Sequence, residues 1–485
     1  MKTWTRLLAA GACAAVVAGS ALSLAARQND TLPLGTSASL NGLITASLVS
    51  LAVDANDDAV VTRDELVAAV TEWVRTADKD GNGAAPDELS PVLDAAMPLT
   101  RLAAVFNMGG GPQPQTPVAA TVEAMMAALP DRAPAAPRQP RRVLVLARAA
   151  GFVHSSIPLA AATIEALGTR TGAWTTTITY DATDITADNL KQYDAVFLAS
   201  TTGAFLDDPD DPAATAARRA ALLDFVRSGK GLAAIHAATD AYHESKAAAQ
   251  GDAAAGLAAL FKGFSPGAAL APVLIAHGDR SGDGRLDDGE ARALAEALFR
   301  TFDTRKTGRL LQADLALLAL LIPHPPADQL PPVPQGPDPQ VGTWPDYNRM
   351  IGGFFKYHWL DPQQITVRID DPDSPLTAMF GGQSFDVRDE IYTMSHQSFS
   401  REHVRVLTSI DYDRMSEADR ALEEYPRPDR DHGISWVRRE GQGRVFYLAL
   451  GHSERIYADR RILEHLLAGV QYALGDLDAD DTPRP

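Results

Sequence analysis

Alternating apolar strands and helices, interrupted once, are the feature that most restricts the fold of this 485-residue chain. Apolar segments such as RRVLVLA, DAVFLAS and GLAAIH alternate with helical segments between residues 141 and 245. The alternation then stops, resumes near Trp344 and ends in an amphipathic helix, DRRILEHLLAGVQYALG, whose His465 is predicted to be a core residue. Such alternation is typical of a parallel sheet covered on both faces. We therefore predict one α/β domain from residues 141–245 and 343–476, with 246–342 inserted into it.

The insertion contains a twelve-residue acidic segment, DRSGDGRLDDGE at 279–290, with the spacing of a calcium-binding loop. Gly284 stands at position 6, where such a loop turns sharply, and a carboxylate stands at position 12. A solvated acidic turn is the alternative interpretation. The predicted ligands, counting the backbone carbonyl at position 7, are Asp279, Ser281, Asp283, Arg285, Asp287 and Glu290.

A second segment with the same spacing, DANDDAVVTRDE at 54–65, lies near the N-terminus. Ala59 replaces the turn glycine, which costs about 1 kcal/mol if its φ must be positive. The predicted ligands are Asp54, Asn56, Asp58, Val60, Thr62 and Glu65.

Each of these segments is followed, 24 residues later, by an altered copy. In 78–89, DKDGNGAAPDEL, the candidate ligands Asp78, Asp80 and Asn82 are present, but Glu88 falls at position 11. In 303–314, DTRKTGRLLQAD, the cationic Arg305 occupies position 3, where an oxygen is needed, so we expect a structural partner only. We therefore predict two EF-hand-like pairs, one at 37–100 and one in the insertion, each with one calcium-binding loop. With one intact loop per pair, calcium is expected to be a permanent structural ion rather than a signal.

The N-terminus predicts export. Lys2 and Arg6 precede a run of small apolar residues, which is typical of a secretory signal peptide at 1–26, although a retained membrane anchor is the alternative. We expect a periplasmic or secreted protein with no stable membrane insertion after cleavage. Cys13, the only cysteine, lies within this segment, so the mature chain has no thiol.

Charge and composition restrict the partners and complete the domain boundaries. A formal net charge of −18 argues against nucleic acid as a partner. Residues 101–140 are rich in proline and alanine, which predicts a linker, and 477–485 form an acidic tail.

Four loops that follow apolar strands carry the candidate site residues. Their sequences are ARAAGFVHSSI, ASTTGAF, IHAATDAYHE and ALGHSERIY. Ligands of open parallel sheets bind beyond the carboxyl ends of the strands, so these loops are expected to share a pocket. A single histidine at a strand end is more often structural, but three of the four loops carry one. The residues expected in the pocket are His154, Thr201, Thr202, Gly203, His236, Asp240, His243, His452 and Glu454.

Several ordered motifs resemble a known family, the ThuA-like domain of trehalose utilisation. They are GFVHSSI, STTG, HAATD, WPDYNRMIGGFFKYH, DEIY and ALGHSERIY, and the resemblance covers roughly 141–244 and 343–475. That family is similar in fold to class I glutamine amidotransferases, which implies a doubly wound, flavodoxin-like sheet and a small carbohydrate as the ligand. Those amidotransferases use a cysteine on a strand–helix elbow and a late His-x-Glu. Here His236 stands at the elbow, while His452 and Glu454 fit the His-x-Glu.

Without a thiol, amidotransferase chemistry through a glutamyl thioester is excluded for the mature chain. We expect His452, oriented by Glu454, to act as general base, and His154 or His236 to act as proton donors or as ligands of a second divalent metal, with Asp240 beside them. Residues expected to bind substrate are Thr201, Thr202, Gly203, His243, Asp389, Glu390 and Tyr392.

Two hypotheses follow for the function of the whole chain. The first is an exported, calcium-binding enzyme, a hydrolase, lyase or isomerase, that processes a sugar or oligosaccharide. The alternative is a non-catalytic, calcium-dependent glycan-binding module.

Overall fold

The computed structural model describes residues 31–102, 113–243, 261, 263–325, 341–423 and 425–485. The predicted signal peptide lies outside these residues. The first described elements are α1 (Leu40–Val53), β1 (Val60–Thr62), α2 (Arg63–Ala77) and α3 (Pro86–Ala96). Within the described residues, no helix combines the length and the apolar character needed to cross a membrane.

The first part of the α/β region alternates as predicted. Its elements are α4 (Ala119–Ala128), β2 (Arg142–Leu146), α5 (Ile157–Thr171), β3 (Thr175–Thr179), α6 (Ala187–Leu190), β4 (Ala195–Ala199), α7 (Pro212–Arg227) and β5 (Gly231–Ile235). Ser156 is the N-cap of α5, as expected from Pro158 in the first turn, and the helix ends at Gly172 with a φ of 68°. The predicted linker differs from expectation, because it contains α4, whose Met125 is buried in the core.

The interrupting segment and the second α/β part follow. The described elements are α8 (Pro266–Gly278), α9 (Asp288–Phe302), β6 (Arg309–Leu311), α10 (Gln312–Leu315), α11 (Pro345–Ile351), β7 (Phe355–Ile369), β8 (Phe385–Met394), β9 (Arg405–Ile410), α12 (Glu417–Ala421), β10 (Gly433–Glu440), β11 (Gly443–Leu448) and α13 (Arg460–Ala473). His465 in α13 is buried, as predicted, and bonds to Leu376 and Ser435.

The described chain forms two compact units. The helical unit contains α1–α3, α8–α10, β1 and β6, and the α/β unit contains the remaining helices and strands. The segments at 37–100 and in the insertion, which the sequence predicted as separate helical pairs, therefore contribute to one unit.

Nine described strands of the α/β unit form one sheet, in the order β3-β2-β4-β5-β11-β10-β9-β7-β8. The five strands from β3 to β11 are parallel, whereas β10, β9, β7 and β8 extend the sheet with antiparallel pairs. The parallel prediction is thus confirmed for the first half and for β11 only. The change of direction has a local cause, because β10 and β11 are joined by a hairpin too short for a parallel crossover.

In the helical unit, four connecting loops, I (54–65), II (78–89), III (279–290) and IV (303–314), pair two by two. β1 in loop I pairs with β6 in loop IV, through Val60–Leu311, Val61–Leu310 and Thr62–Arg309. Loop II meets loop III at an antiparallel bridge between Ala84 and Leu286. Our expectation that each loop pairs with its neighbour along the chain is therefore wrong, because the unit is assembled from two distant segments that each supply one loop to each pair.

Candidate functional site

The carboxyl edge of the parallel strands brings together three histidines and one carboxylate. His154 lies in the loop between β2 and α5, His236 follows β5 directly, and His452 follows β11. Glu390 reaches the same place from β8 in the antiparallel part of the sheet. One potential ligand atom from each of these four residues lies within 4.8 Å of those of the others. We call these four residues the histidine cluster.

Glu390 is the acidic centre of the histidine cluster. Its Oε2 lies 3.1 Å from His452 Nδ1 and 3.4 Å from His236 Nε2, and its Oε1 lies 3.1 Å from Nδ1 of a fourth histidine, His358. The imidazole rings of His154, His236 and His452 meet edge to face, with centroids 4.9–5.4 Å apart. His154, His236 and Glu390 are buried, whereas His452 and His358 are partly exposed.

The environment of His236 determines which of its nitrogens carries the proton. Nδ1 lies 2.9 Å from the carbonyl oxygen of Ala449, and because a carbonyl can only accept, Nδ1–H is the donor. In the neutral ring, Nε2 therefore presents a lone pair towards the Glu390 carboxylate. Among the described residues, no well-directed hydrogen bond satisfies His236 Nε2, His154 Nδ1 or His452 Nδ1. A cation between these nitrogens and the carboxylate would satisfy them together.

The charges of the histidine cluster are strongly interdependent. Burial, with the electrostatic effect of the neighbouring His236 and His452, holds the pKa of His154 well below its usual value. Burial alone would raise the pKa of Glu390, but His358 and His452 outweigh it and the pKa lies well below its usual range. Burial opposes protonation of His452, yet Glu390 raises its pKa. The carboxylate is therefore ionised and attracts positive charge to this position.

The backbone at the elbow after β5 is unusual. His236 adopts a φ of 48°, in the left-handed region that few residues other than glycine enter. Tyr392 is buried beneath it, with ring centroids 4.3 Å apart, and Tyr447 donates a hydrogen bond to the His236 carbonyl. Such a conformation costs on the order of 1–3 kcal/mol and persists only where its surroundings hold it. Tyr392, predicted to bind substrate, is placed instead to support the His236 ring.

Asp389 positions the loop that carries His452. Its buried carboxylate accepts hydrogen bonds from the backbone N–H groups of Gly451, His452 and Ser453, at 2.6, 3.3 and 2.8 Å. Burial raises the pKa of Asp389 to about 6, against the effect of these donors. Asp389 was predicted to bind substrate. Its role is structural instead, because both carboxylate oxygens accept hydrogen bonds from backbone N–H groups.

Thr202 and Gly203 also hold a loop rather than line an open pocket. Thr202 Oγ1 donates to the carbonyl of Phe152 and accepts from Gly151 N–H. Gly203 has a φ of 61°, and a Cβ there would lie 2.6 Å from the nitrogen of Gly151. Thr201 is fully buried. These residues therefore fix the 149–155 loop, and with it His154, against the loop after β4.

The acid that contacts His452 is not the one that the sequence predicted. Glu454 begins a short 3₁₀ turn, and its Oε1 accepts a hydrogen bond of 2.8 Å from Ser155 Oγ. The prediction that Glu454 orients His452 is therefore wrong, since Glu390 is the partner. A residue two positions away points elsewhere once the chain turns, and β8 supplies the acid from a distant part of the sequence.

Asp240 and His243 form a second pair on a more exposed part of the site. His243 Nε2 lies 2.8 Å from Asp240 Oδ1, and the His243 ring stacks on Phe354. Both side chains are partly exposed, at 25% for Asp240 and 34% for His243, so they are accessible to a ligand. This arrangement can exchange protons with a bound molecule.

Sequence reasoning missed two residues beside the histidine cluster. His358 contacts Glu390, and Phe152, whose ring lies 4.8 Å from that of His154, is 48% exposed. Both lie within motifs of the family resemblance, FFKYH and GFVHSSI, which was the available signal. An exposed aromatic ring beside a polar cluster is suited to contact an apolar face of a ligand.

The predicted calcium ligands of loops I and III converge locally. In loop I, Asp54 accepts from Ala59 N–H, and Ala59 has a φ of 63°, so the condition on which the cost of replacing the turn glycine depends is met. In loop III, Asp279 Oδ2 accepts from Gly284 N–H. Glu65 and Glu290, at position 12, each form a capping box at the start of the following helix. The side chains are mostly exposed, and the position-12 carboxylates fold back over their loops.

Solved structures of low sequence identity resemble parts of the chain. One is a ThuA-like protein from Bacteroides uniformis, 16% identical, covering 70% of this chain and 92% of that one with a TM-score of 0.38. Another is a ThuA-like protein from Parabacteroides merdae, 11% identical, covering 71% of this chain and 98% of that one with a TM-score of 0.36. Among curated proteins, none matches this chain.

A family model, described as ThuA, trehalose utilisation, matches residues 142–254 and 338–473, more than half of the chain. The matched segments include all four residues of the histidine cluster and leave out the elements of the helical unit. This chain belongs to the ThuA family.

Proposed function

We propose that the histidine cluster holds a divalent metal and that the α/β unit uses it to bind and process a sugar. The observation that carries the proposal is the set of buried imidazole nitrogens directed at one ionised carboxylate. Three imidazoles and a carboxylate are a donor set suited to zinc or a neighbouring transition metal rather than to calcium.

The contacts around the histidine cluster support a preorganised metal site. His236 donates its Nδ1–H to the Ala449 carbonyl, which leaves Nε2 as the ligand atom, and Asp389 fixes the backbone of His452. Partners of this kind set the tautomer and orientation of metal-bound histidines. The metal, when bound, would act as a Lewis acid on a substrate oxygen or on water.

A sugar is the substrate class that the family description and the exposed residues support together. Phe152 offers an aromatic face next to His154, suited to the C–H face of a pyranose ring. Asp240 and His243 offer hydrogen-bonding groups for hydroxyls. We propose that His243, held by Asp240, moves a proton to or from the sugar, since its ring is accessible and Glu390 already occupies His452.

The parallel strands support the flavodoxin-like winding that we infer for the sheet. Numbered among themselves in chain order, β3, β2, β4, β5 and β11 follow the order 2-1-3-4-5. This order has its ligand-binding crevice at the carboxyl ends of the strands, where the histidine cluster lies.

Metal binding and sugar turnover can be tested in separate experiments. Titration of metal-free protein with zinc, followed by competition with a chromogenic chelator, should show one tight site that His452→Ala weakens on the order of a hundredfold. His403→Ala, which removes an exposed histidine outside the cluster, is the matched control. Equal affinity for the parent protein and for His452→Ala would exclude this site.

A panel of mono- and disaccharides, followed by mass spectrometry with and without chelator, tests the enzyme assignment. We expect turnover of at least one sugar that stops when the metal is removed and that falls on the order of a hundredfold in His243→Ala. Sugar binding without turnover by the metal-loaded parent would instead favour the glycan-binding module.

We further propose that loops I and III bind calcium and that the protein is exported. The support is the ligand spacing, the positive φ at position 6 and the position-12 carboxylates. Calorimetry should detect two calcium ions per chain, and its failure to detect any would refute the calcium proposal alone.

Export is tested by the intact mass of protein recovered from the periplasm or medium, which should correspond to a chain that begins near residue 27.

A further inference from the structure

Loop II contacts a positively charged side chain that comes from its partner, loop III. Arg285, at position 7 of loop III, directs Nη1 towards three oxygens of loop II. These are Asn82 Oδ1 at 2.6 Å, the Gly83 carbonyl oxygen at 2.6 Å and Glu88 Oε2 at 2.9 Å. One guanidinium therefore satisfies a side-chain amide, a backbone carbonyl and a carboxylate, the oxygen types that a calcium loop offers its ion.

The pairing of the loops explains why Glu88 is available despite its early position in the sequence. The bridge partner of Leu286, which is position 8 of loop III, is Ala84, which is position 7 of loop II. Loop II is therefore one residue shorter than loop III in the part before Ala84. Glu88 consequently occupies the structural place that position 12 has in loop III. Its Oε2 accepts from Ala85 N–H at 2.8 Å, as Glu290 Oε2 accepts from Asp287 N–H in loop III.

Loop IV contains an arginine as well, but from its own sequence. Arg305, at position 3, places Nη2 2.6 Å from Asp314 Oδ2, and Asp314 is the position-12 acid. Asp314 is buried, and the same oxygen also accepts from Leu311 N–H. Each loop pair thus joins one loop with a complete ligand set to one whose terminal acid is neutralised by a guanidinium.

We propose that Arg285 and Arg305 replace calcium in loops II and IV, and that Arg285 masks a third calcium site in loop II. Loop II retains Asp78, Asp80, Asn82, the Gly83 carbonyl and Glu88, with Gly83 in the left-handed conformation at φ 89°. Loop IV gains no such site on losing its arginine, because Arg305 stands where a ligand would be. Arg285 links loop III to loop II when calcium is scarce, since a covalently attached guanidinium cannot dissociate, whereas Arg305 acts within loop IV.

The inference rests on the proposed calcium chemistry of these loops, and Arg285→Ala tests it. The variant should bind one calcium ion more than the parent protein in calorimetry or equilibrium dialysis. Its melting temperature in a calcium chelator should fall below that of the parent and recover when calcium is added. Arg280→Ala, which removes an exposed arginine of loop III, is the charge-matched control and should bind the same number of ions as the parent.

Each outcome separates this inference from the calcium assignment of loops I and III. One calcium ion in Arg285→Ala and none in the parent would refute that assignment and support the masked site. Equal numbers of ions in the variant and the parent would refute the masked site, whatever the number is. Arg285→Gln, which keeps a hydrogen-bonding side chain without the charge, is the second variant. Failure of both variants to fold in excess calcium would also refute the inference, because calcium would then not replace the guanidinium.

Discussion

The histidine cluster and the acidic loops, for both of which we propose cation binding, differ in donor chemistry and in burial. The cluster combines three imidazoles with one carboxylate, mostly buried, on the loops and strands of a sheet. Loops I and III combine carboxylates, hydroxyls and carbonyls, mostly exposed, within twelve consecutive residues. If both proposals hold, the cluster would select its metal by donor type through a few buried ligands, whereas the loops would bind calcium through the number and charge of their oxygens. The comparison predicts that the two regions select different ions and that a substitution in one region weakens ion binding in that region only.

The largest expected effect is a reciprocal loss of metal in two matched Glu→Gln variants. Glu390→Gln should weaken zinc binding on the order of a hundredfold, because it removes the only charge of the proposed ligand set. Glu290→Gln should weaken calcium binding at loop III by well over tenfold, given how strongly ligand charge tunes such loops. Titration of each variant with each ion checks both. Loss of calcium in Glu390→Gln, or of zinc in Glu290→Gln, would break the proposed separation.

The second prediction concerns stability. Calcium that binds only the folded state stabilises it by about 2.7 kcal/mol for each site at a hundred times Kd. Removing calcium with a selective chelator should therefore lower the melting temperature of the parent protein measurably. Glu290→Gln should lose part of this dependence, and Glu390→Gln should keep all of it. A melting temperature that does not change with calcium would contradict a stabilising role for the loops.

A smaller effect is expected from Asp389→Asn, which acts on the histidine cluster through the backbone. Asn places an N–H₂ donor where a carboxylate oxygen accepts from the backbone, so the substitution leaves an N–H of the 451–453 loop unsatisfied and should destabilise the fold by about 1–3 kcal/mol. It should also weaken zinc binding by about tenfold through a misplaced His452. Asp386→Asn, which alters an exposed carboxylate of the same strand, is the control. Unchanged zinc affinity in Asp389→Asn would show that the loop needs no such support.

The two regions also differ in how far the sequence alone predicted them. Loops I and III could be proposed as calcium sites because their predicted ligands lie within twelve residues and follow a known spacing. The partner of each loop could not be identified, since the pairs I with IV and II with III depend on the assembly of distant segments. Only the structure shows that Arg285 reaches loop II.

For the histidine cluster, the sequence supplied the residues but not all their roles. His154, His236 and His452 follow apolar strands, so the rule for parallel sheets placed them together. Glu390 was assigned to substrate binding, because nothing local indicates that the antiparallel strand β8 would carry it to His452. Register between distant strands is set by packing across the whole sheet, which a local pattern does not contain.

A second buried carboxylate–histidine contact sharpens the comparison, since only one imidazole of the described residues lies beside its carboxylate. Glu423 Oε2 lies 3.7 Å from His432 Nε2 and accepts a hydrogen bond from Tyr412. Burial raises the pKa of Glu423 to about 7, despite the opposing effects of Tyr412, Lys356 and Arg427, and burial lowers the pKa of His432 to about 3. Around Glu390, by contrast, neighbouring histidines outweigh burial and the carboxylate is ionised. A carboxylate–histidine contact therefore resembles a metal site only where several imidazoles surround the acid.

The smallest predicted effect follows from this contrast and concerns pH. Because the folded state raises the pKa of Glu423, it binds the proton more tightly than the unfolded chain does between about pH 4.5 and 7. This group's contribution to stability is therefore greatest at low pH and is lost as the pH rises through 7. His432 acts in the opposite direction, because the unfolded chain takes up its proton below about pH 6.5.

Above pH 6.5 Glu423 dominates, so Glu423→Gln should raise the melting temperature at pH 8 relative to the parent and reduce the decline of the melting temperature between pH 6.5 and 8. Thermal melts of metal-free protein at these pH values check this, with Glu402→Gln, an exposed site, as the control. An equal decline in Glu423→Gln and the parent would mean that Glu423 is already ionised in the folded protein, and the contrast with Glu390 would then disappear.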